Sequence, residues 1–233
     1  MTVDPIFTHI RKEGRTTLTE VESKQFLERA GIPIVATKQA RTEEEAIHLS
    51  MEMGFPVAMK IISPEITHKS DSGGVRLGLK NVDEIKGAYE QIMRSVKSYN
   101  PAARIEGVSV QKMARPGREI IIGMSKDPQF GPLLMFGIGG VMVEVMKDVA
   151  FRLAPLRPRD AHEMIMEIKG YSLLTGFRGA EAVDIPFLER LLVKVSDLTE
   201  RYPEIKEFDL NPVMANKDGA VVVDSRIVLE DKN

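Results

Sequence analysis

Residues 59–79 constrain the fold and chemistry of this chain more than any other segment. They read as a short apolar strand, a polar turn rich in serine and glycine, and a second strand. Lys60 lies in the first strand, His68 falls in the turn, and Gly73 and Gly74 precede the second strand. A fixed cation, an imidazole that titrates near neutral pH and the backbone N–H groups of glycine suit phosphate chemistry. The segment therefore predicts a phosphate-handling site carried by two adjacent strands.

The composition of the chain limits the classes of function that are open to it. The 233 residues are 43% hydrophobic and 28% charged, enough for one large domain or two small lobes with a substantial core. The net charge of −2 gives no global basic field for nucleic acid or an anionic membrane. The absence of cysteine excludes disulfides, thiolate catalysis and cysteine-bound zinc or iron–sulfur sites. Because the 34 acidic residues offer oxygen ligands, Mg²⁺ is the metal that the composition favours.

The sequence carries no sign of a membrane span or a targeting signal. No apolar run approaches the roughly 18 residues that a transmembrane helix needs. The N-terminal segment also lacks the apolar stretch of a secretory signal peptide. We therefore expect a cytoplasmic location.

Hydrophobic patterning predicts an N-terminal arm followed by two mixed α/β lobes. Residues 1–18 are polar and weakly patterned, and read as an arm or linker. Residues 19–106 contain helix and strand patterns, opened by Thr19 as a helix N-cap, and form the expected first lobe. Residues 107–233 contain several apolar strands, two helices and a C-terminal pair of strands, and form the expected second lobe. Two lobes predict a cleft between them, where ligands commonly bind.

Lys60 and His68 each have an ordinary alternative role. A lysine among apolar strand neighbours either extends to the strand edge or pairs with an anion, and the glycine-rich turn downstream favours the anion. His68 is followed by Ser72, Gly73 and Gly74 in a loop with room to move. A partly neutral imidazole can act as a nucleophile toward phosphorus, although a general-base or substrate-binding role is also compatible with the sequence. We expect Ser72 and the two glycines to contact nucleotide phosphates.

The glycine pattern matches neither common nucleotide-binding fingerprint. Gly73 and Gly78 have the spacing of a P-loop, but Leu79 stands where a lysine should follow. Residues 137–142, GIGGVM, lack the third glycine of a dinucleotide-binding motif. Both segments still predict loops whose backbone can approach a phosphate closely.

Three oxygen-bearing residues near the C-terminus predict a metal site. Asp209 and Asn211 lie at i and i+2 of one strand, so both face the same side, and Asp224 lies on the next strand of an apparent hairpin. Together these three residues, called here the C-terminal oxygen set, would suit a Mg²⁺ ion that also holds phosphate oxygens. The alternative interpretation is an Asn-Pro turn flanked by solvated acids.

A strand at the start of the second lobe predicts contacts to a nucleotide base. Gln111, Lys112 and Met113 continue an apolar strand that can offer backbone N–H and C=O groups to an adenine edge. Glu119 follows and offers a carboxylate for the ribose.

Taken in order, these features resemble the ATP-grasp fold, an α/β (α+β) fold of two mixed lobes that enclose a nucleotide cleft. More narrowly, the chain resembles the β subunit of ADP-forming acetyl-CoA synthetase, an acyl-CoA synthetase related to succinyl-CoA synthetase. The match extends over almost the whole chain, and its most specific blocks are ITHKSDSGGV and DPQFGPLLMFGIGG. The matching segments are LTEVESKQFLERAGIPI, FPVAMKIISPEITHKSDSGGVRLGL, GREIIIGMSKDPQFGPLLMFGIGGVMVEVMKDVAFRLAPL, LLTGFRG and EFDLNPV.

The resemblance implies a reaction, a cofactor and a partner. In the family, acyl-CoA, ADP and phosphate are converted reversibly to a carboxylic acid, ATP and CoA. A partner α subunit, or a fused domain, binds CoA and carries a histidine that is phosphorylated from the acyl phosphate. The histidine that matches His68 is then implied to relay the phosphoryl group to ADP. An assembly of two α and two β chains rests on the resemblance alone.

The resemblance also implies roles for individual residues of the site. Lys60 would hold nucleotide phosphates, and the C-terminal oxygen set would place Mg²⁺. Glu144 and Arg152 would line the same cleft. The acyl group should be selected largely by the partner subunit.

Two other classes of function are compatible with an ATP-grasp chain. A carboxylate–amine ligase would form a free acyl phosphate and join it to an amine, and would need neither His68 nor a partner. A non-catalytic regulatory ATP-grasp domain would show loss of the lysine, the histidine or the metal-binding residues, and none of these is missing. We therefore favour the β subunit of the acyl-CoA synthetase.

Overall fold

The protein is a mixed α/β structure built on two antiparallel sheets, described from a computed structural model at residues 4–66, 68–140, 148–179 and 181–231. The helices are α1 (Pro5–Lys12), α2 (Glu20–Arg29), α3 (Glu43–Met53), α4 (Val82–Tyr99), α5 (Pro158–Glu167), α6 (Tyr171–Leu174) and α7 (Ile185–Arg201). The strands are β1 (Thr37–Ala40), β2 (Val57–Ile62), β3 (Val75–Leu79), β4 (Gly107–Lys112), β5 (Arg118–Asp127), β6 (Gly131–Ile138), β7 (Val149–Leu153), β8 (Ile205–Asn216), β9 (Gly219–Val222) and β10 (Ser225–Leu229). The predicted mixed α/β class is confirmed.

The chain divides into two compact units, each with its own sheet. The larger unit comprises residues 1–18, 22–34 and 115–233, and the smaller unit comprises residues 19–21 and 35–114. The smaller sheet has the strand order β1-β4-β2-β3, and the larger has the order β10-β8-β5-β6-β7, with β9 paired to β8.

The boundary between the units differs from the one expected near residue 106. Strand β4 lies between β1 and β2 of the smaller sheet, where Ser109 is opposite Lys60 and Gly107 is opposite Ile62. The smaller unit therefore extends to Ala114. An apolar strand pattern shows that a strand exists but not which strands it joins, and this limit explains the difference.

The smaller unit buries one face of its sheet under α3 and α4. All six residues of β2 are buried, including Lys60, the one charged residue among five apolar ones, as is typical of a central strand. On α4, Ile85, Ile92 and Val96 recur at helical spacing and are fully buried against this sheet. Thr42 is the N-cap of α3, since its hydroxyl accepts a hydrogen bond from the Glu45 N–H at 3.2 Å.

The larger unit buries one face of its sheet under α5 and α7. Ile120, Ile122 and Met124 alternate along β5 and point into this core, where they join Leu192 and Val195 of α7. The residues between them on β5 therefore lie on the opposite face of the sheet. Among the described residues, no helix is both long enough and apolar enough to cross a membrane.

The N-terminal residues differ from the expected polar arm, because they form α1 and pack into the core of the larger unit. Asp4 begins the helix by accepting a hydrogen bond from the Ile6 N–H at 2.8 Å. Phe7 is fully buried, and its ring lies 4.9 Å from that of Phe26 and 5.9 Å from that of Tyr202, centroid to centroid. A helix of eight residues presents too few apolar positions for its period to be read from the sequence.

Buried Asp148 organises the turn that leads into the LLTGFRG segment. One carboxylate oxygen accepts a hydrogen bond from the Lys169 N–H at 2.7 Å, and the other accepts one from the Gly170 N–H at 2.6 Å. Leu174, in the following helix α6, is fully buried, and its carbonyl accepts a hydrogen bond from the Val183 N–H. This segment therefore has a structural anchor that its sequence alone did not reveal.

Candidate functional site

In the smaller unit, the buried amine of Lys60 is held by a carboxylate. Lys60 Nζ lies 2.7 Å from Glu20 Oε1, and the two side chains are only 6% and 1% exposed. Glu20 Oε2 lies 3.2 Å from the Nζ of Lys69, which is in the loop that carries His68. A buried ammonium needs an anionic partner, so the sequence correctly indicated an anion but not that Glu20 would supply it.

The loop that carries His68 is closed by hydrogen bonds within itself. The side chain of His68 is exposed. The Gly74 N–H and the Ser72 hydroxyl both donate to the Lys69 carbonyl, at 2.8 and 2.9 Å, and the Gly73 N–H donates to the Ser70 carbonyl at 3.0 Å. These N–H groups were expected to close on an anion, whereas here they close the turn. Their contact with phosphate stays a prediction that requires the turn to rearrange.

Two glycines allow this loop to lie directly against strand β2. Gly73 has φ of +67°, in the left-handed region that favours glycine. A Cβ atom added at Gly74 would lie 2.5 Å from Cγ2 of Ile61, so a side chain there would force the loop away from the strand. The glycines therefore place the His68 loop close to the strand that carries Lys60.

The sheet of the smaller unit separates the predicted base-contacting residues onto two faces. Residues 108 and 110 of β4 point into the core, so buried Gln111 lies on the opposite face of the sheet. Lys60 lies on that same face, because it is opposite Ser109. Lys112 has the opposite orientation, and its Nζ donates to the Met53 carbonyl at 3.1 Å. The N–H groups of Lys112 and Met113 donate to the carbonyls of Ala36 and Pro56. An adenine contact by these three residues stays a prediction.

In the larger unit, the C-terminal oxygen set lies around the middle of β8. Asp209 and Asn211 are exposed and flank fully buried Leu210, so their side chains share the face opposite the core. Asp224 lies between β9 and β10 rather than within a strand, and its carbonyl accepts a hydrogen bond from the Asn211 N–H at 3.1 Å. The fold thus brings all three residues to the same part of β8, as the hairpin interpretation predicted.

The electrostatics of Asp209 suit a cation. Partial desolvation of this surface carboxylate, followed by the charge of Asp224, raises the pKa of Asp209, while Arg226 opposes this shift. Two carboxylates and an amide oxygen are ligands that Mg²⁺ accepts, and a divalent cation would relieve the repulsion between the acids. In the part of the chain that the structure describes, no group of three or more His, Cys, Asp or Glu is arranged for a metal. This set has only two such residues, and its metal role stays a prediction.

Replacing Asp209 with asparagine should slightly stabilise the metal-free protein at neutral pH. The raised pKa means that folding favours protonated Asp209, so its contribution to stability is present at low pH and is lost as the pH rises through that pKa. At pH 7 the ionised carboxylate opposes folding. We expect Asp209→Asn to raise the melting temperature in EDTA at pH 7 by roughly one or two degrees, and by less at pH 4.

The control for this substitution is Asp197→Asn on the exposed side of α7, which should leave the melting temperature nearly unchanged. A lower melting temperature for Asp209→Asn at pH 7, or an increase that grows toward pH 4, would contradict the assigned origin of the pKa shift.

Glu119 lies on the same face of the larger sheet and contacts a glycine turn. Its carbonyl accepts a hydrogen bond from the Gly139 N–H at 2.7 Å. A Cβ added at Gly139 would lie 3.1 Å from the Glu119 Cβ, and one added at Gly140 would lie 3.1 Å from its Oε2. The GIGG segment is therefore the place where backbone passes closely over this carboxylate. The ribose contact of Glu119 stays a prediction.

Glu144 and Arg152 are the last two predicted site residues, and the structure describes only Arg152. Glu144 lies outside the described residues. Arg152 alternates with Phe151 on β7 and shares the helix-covered face with buried Ala150, where it forms an ion pair with Glu167 at 2.6 Å. The structure does not place Arg152 on the face that carries Asp209. Its role in nucleotide binding stays a prediction.

A cavity of about 300 Å³ opens on the same face of the larger sheet as Asp209. Its volume is at the lower end of the range for sites that bind small molecules. The residues that line it include Ile121, Gly123, Met135, Phe151, Asp209 and Arg226. An apolar floor beside a carboxylate and a guanidinium is a surface on which a polar ligand can be oriented.

Comparisons with known proteins identify the family of this chain. The sequence profile of the ATP-grasp domain family matches residues 9–229. The β subunit of acetate–CoA ligase [ADP-forming] I from Pyrococcus furiosus is 50% identical over 218 residues, which cover 94% of each chain. The 4-hydroxybutyrate–CoA ligase [ADP-forming] of Nitrosopumilus maritimus is 43% identical over 96% of this chain, which spans 32% of that longer protein.

Solved structures show the same similarity. Acetyl-coenzyme A synthetase 1 of Ca. Korarchaeum cryptofilum, in complex with coenzyme A, Ca-AMPCP and HgCl⁺, has a TM-score of 0.94 at 48% identity, covering 97% of this chain and 98% of that one. A second structure of that enzyme contains coenzyme A and Mg-AMPPCP, with its phosphohistidine segment pointing towards the nucleotide-binding site. It has a TM-score of 0.85 at 44% identity and covers 97% of this chain and 98% of that one.

A profile match over nearly the whole chain shows that the protein belongs to the ATP-grasp family. Within that family, it belongs with the β subunits of the ADP-forming acetate–CoA ligases. The predicted fold and family are both confirmed. The names of the β-subunit relatives and the greater length of the other relatives also imply an α partner.

Proposed function

We propose that this chain binds ADP and ATP and performs the nucleotide half of the reaction acyl-CoA + ADP + phosphate ⇌ acid + ATP + CoA. The observation that carries the proposal is the pairing of a buried strand lysine with an exposed histidine on the adjoining glycine-bearing loop. Lys60 supplies a fixed positive charge for phosphate oxygens, and His68 supplies a nucleophile that can reach out from the protein. Phosphoryl transfer requires mainly such positioning and charge neutralisation.

In the proposed relay, His68 accepts a phosphoryl group from a phosphohistidine of the α partner. One imidazole nitrogen of neutral His68 attacks phosphorus while the bond from phosphorus to the partner's imidazole breaks. An oxygen of the ADP β-phosphate then attacks the same phosphorus, the bond to His68 breaks, and ATP forms with His68 again neutral. Lys60 holds the phosphate oxygens during this second transfer.

We assign the C-terminal oxygen set to Mg²⁺, with Asp209, Asn211 and Asp224 as the protein's oxygen ligands. When bound, the ion would neutralise phosphate charge and orient the nucleotide. The support from this chain is that Asn211 and Asp224 lie beside Asp209 and that the charge of Asp224 helps to raise the pKa of Asp209, a repulsion that a bound cation would relieve. Gln111, Met113 and Glu119 are assigned to the base and ribose.

The α partner is assigned CoA binding and acyl chemistry, and an assembly of two α and two β chains in the cytoplasm completes the proposal. Relatives named for acetate and for 4-hydroxybutyrate match this chain at 50% and 43% identity. Because enzymes named for different acids share this module, we assign selection of the acyl group to the partner. Nucleic acid and membranes are not expected partners, given the net charge of −2.

The experiment that tests the function is reconstitution of this chain with its α partner. With acetyl-CoA, ADP, phosphate and Mg²⁺, the complex should form ATP and acetate, and neither subunit alone should do so. If this chain alone formed an amide from a carboxylate, an amine and ATP, the protein would instead be a carboxylate–amine ligase. If the complex bound nucleotide without any turnover, it would be a regulatory domain.

A further inference from the structure

We infer that Glu20 is a positioning residue that holds the phosphate-binding amine of Lys60 and the loop of His68 in one geometry. Glu20 is the first residue of α2, and its carboxylate is 1% exposed. One of its oxygens lies 2.7 Å from Lys60 Nζ and the other lies 3.2 Å from Lys69 Nζ. A single buried carboxylate therefore bridges the strand lysine and the histidine loop.

Lys69 is the residue through which Glu20 reaches His68. It follows His68 directly in the chain, so fixing Lys69 limits where the His68 backbone can lie. Its carbonyl also accepts both the Gly74 N–H and the Ser72 hydroxyl, which makes it the centre of the closed turn. The side chain of Lys69 is tied to Glu20 while its carbonyl closes the loop. Loss of the carboxylate would release one of these two restraints.

The Glu20 carboxylate also binds the amine of Lys60, so the same side chain restrains both this amine and the His68 loop. A lysine side chain has several rotatable bonds, and a bound carboxylate restricts its ammonium to a narrow region. Protein kinases illustrate the principle, because a strand lysine there must pair with a helix glutamate before phosphoryl transfer proceeds. The inference rests on the proposed roles of Lys60 and His68, and adds that their relative position is set by Glu20.

The test compares Glu20→Gln with Glu22→Gln in the complex with the α partner. Glu22 lies on the same helix and forms an ion pair with Arg15 at 2.8 Å. Glu22→Gln removes that ion pair, so it is a matched control. We expect Glu20→Gln to lower kcat for ATP formation about 10²-fold. The KM for ADP should change much less, and Glu22→Gln should remain near wild type. Glu20→Asp, which restores the charge, should recover part of the rate.

A double variant separates positioning from a general structural effect. If Glu20 acts through Lys60 as well as the His68 loop, the double variant Lys60→Met with Glu20→Gln should lose less kcat than the product of the two single losses. Fully multiplicative losses in the double variant, or wild-type turnover by Glu20→Gln, would overturn the inference. If Glu20→Gln does not fold, Lys69→Gln tests the loop arm alone: slowed phosphorylation of His68 supports the inference, and a normal rate overturns it.

The same experiment distinguishes failure of this inference from failure of the proposed function. An inactive wild-type complex would refute the function itself. An active wild-type complex with equally active Glu20→Gln and Glu22→Gln variants would refute only the positioning role of Glu20.

Discussion

His68→Ala should abolish ATP formation from acetyl-CoA, ADP and phosphate in the assembled enzyme, with a loss of at least about 10³-fold in kcat. The reason is chemical, because alanine offers no nitrogen to accept the phosphoryl group on its way to ADP. The side chain of His68 is exposed, and His68 takes part in the hydrogen bonds that close its loop through its backbone carbonyl, which alanine retains, so the substitution should leave the fold unchanged. Steady-state ATP production by a coupled assay measures the effect.

Two controls make the His68 result specific. His48→Ala removes another exposed histidine of the same unit and should leave the rate unchanged. Phosphate-dependent release of CoA from acetyl-CoA, which we assign to the partner, should persist in His68→Ala. ATP formation by His68→Ala within a few fold of wild type would contradict the relay.

Lys60→Met should weaken ADP binding and lower kcat by about 10²-fold or more, because the phosphates lose their fixed cation. The same change should destabilise the protein by about 3 kcal/mol, since it removes the ammonium that lies 2.7 Å from the buried Glu20 carboxylate. Calorimetric titration with ADP and thermal unfolding measure the two effects separately. The double variant with Glu20→Gln should recover much of the stability but not the affinity.

The control for Lys60→Met is Lys38→Met. Lys38 forms an ion pair with Glu52 at 2.6 Å, but its side chain is 50% exposed, so little stability and no ADP affinity should be lost. Unchanged ADP affinity in Lys60→Met would show that this lysine does not contact the phosphates.

Features carried by local pattern could be predicted from the sequence. Strand β2 was predicted because five of its six residues are apolar, a pattern typical of a buried strand. The shared face of Asp209 and Asn211 followed from the two-residue period of a strand. The family could be recognised because its specific blocks are themselves local in sequence.

Features that depend on distant parts of the chain could not be predicted in the same way. The partner of Lys60 is Glu20, forty residues earlier, and nothing in the local pattern distinguishes this glutamate from others. Its only signal was the need of a buried lysine for an anion. The placement of β4 in the smaller sheet is equally non-local. Strand alternation predicts that Gln111 and Lys112 lie on opposite faces of β4. Which of the two shares the face of Lys60 depends on which side of the strand packs against the core.

The most direct measurement of the central claim is phosphohistidine on this chain. The complex with its α partner is supplied with acetyl-CoA and ³²P-phosphate without ADP, and each subunit is tested for acid-labile, base-stable label. We expect label on this chain at His68, lost in His68→Ala, and chased into ATP when ADP is added. An unlabelled chain in an enzyme that still makes ATP at the normal rate would contradict the relay, because the partner's phosphohistidine would then deliver its phosphoryl group directly to ADP.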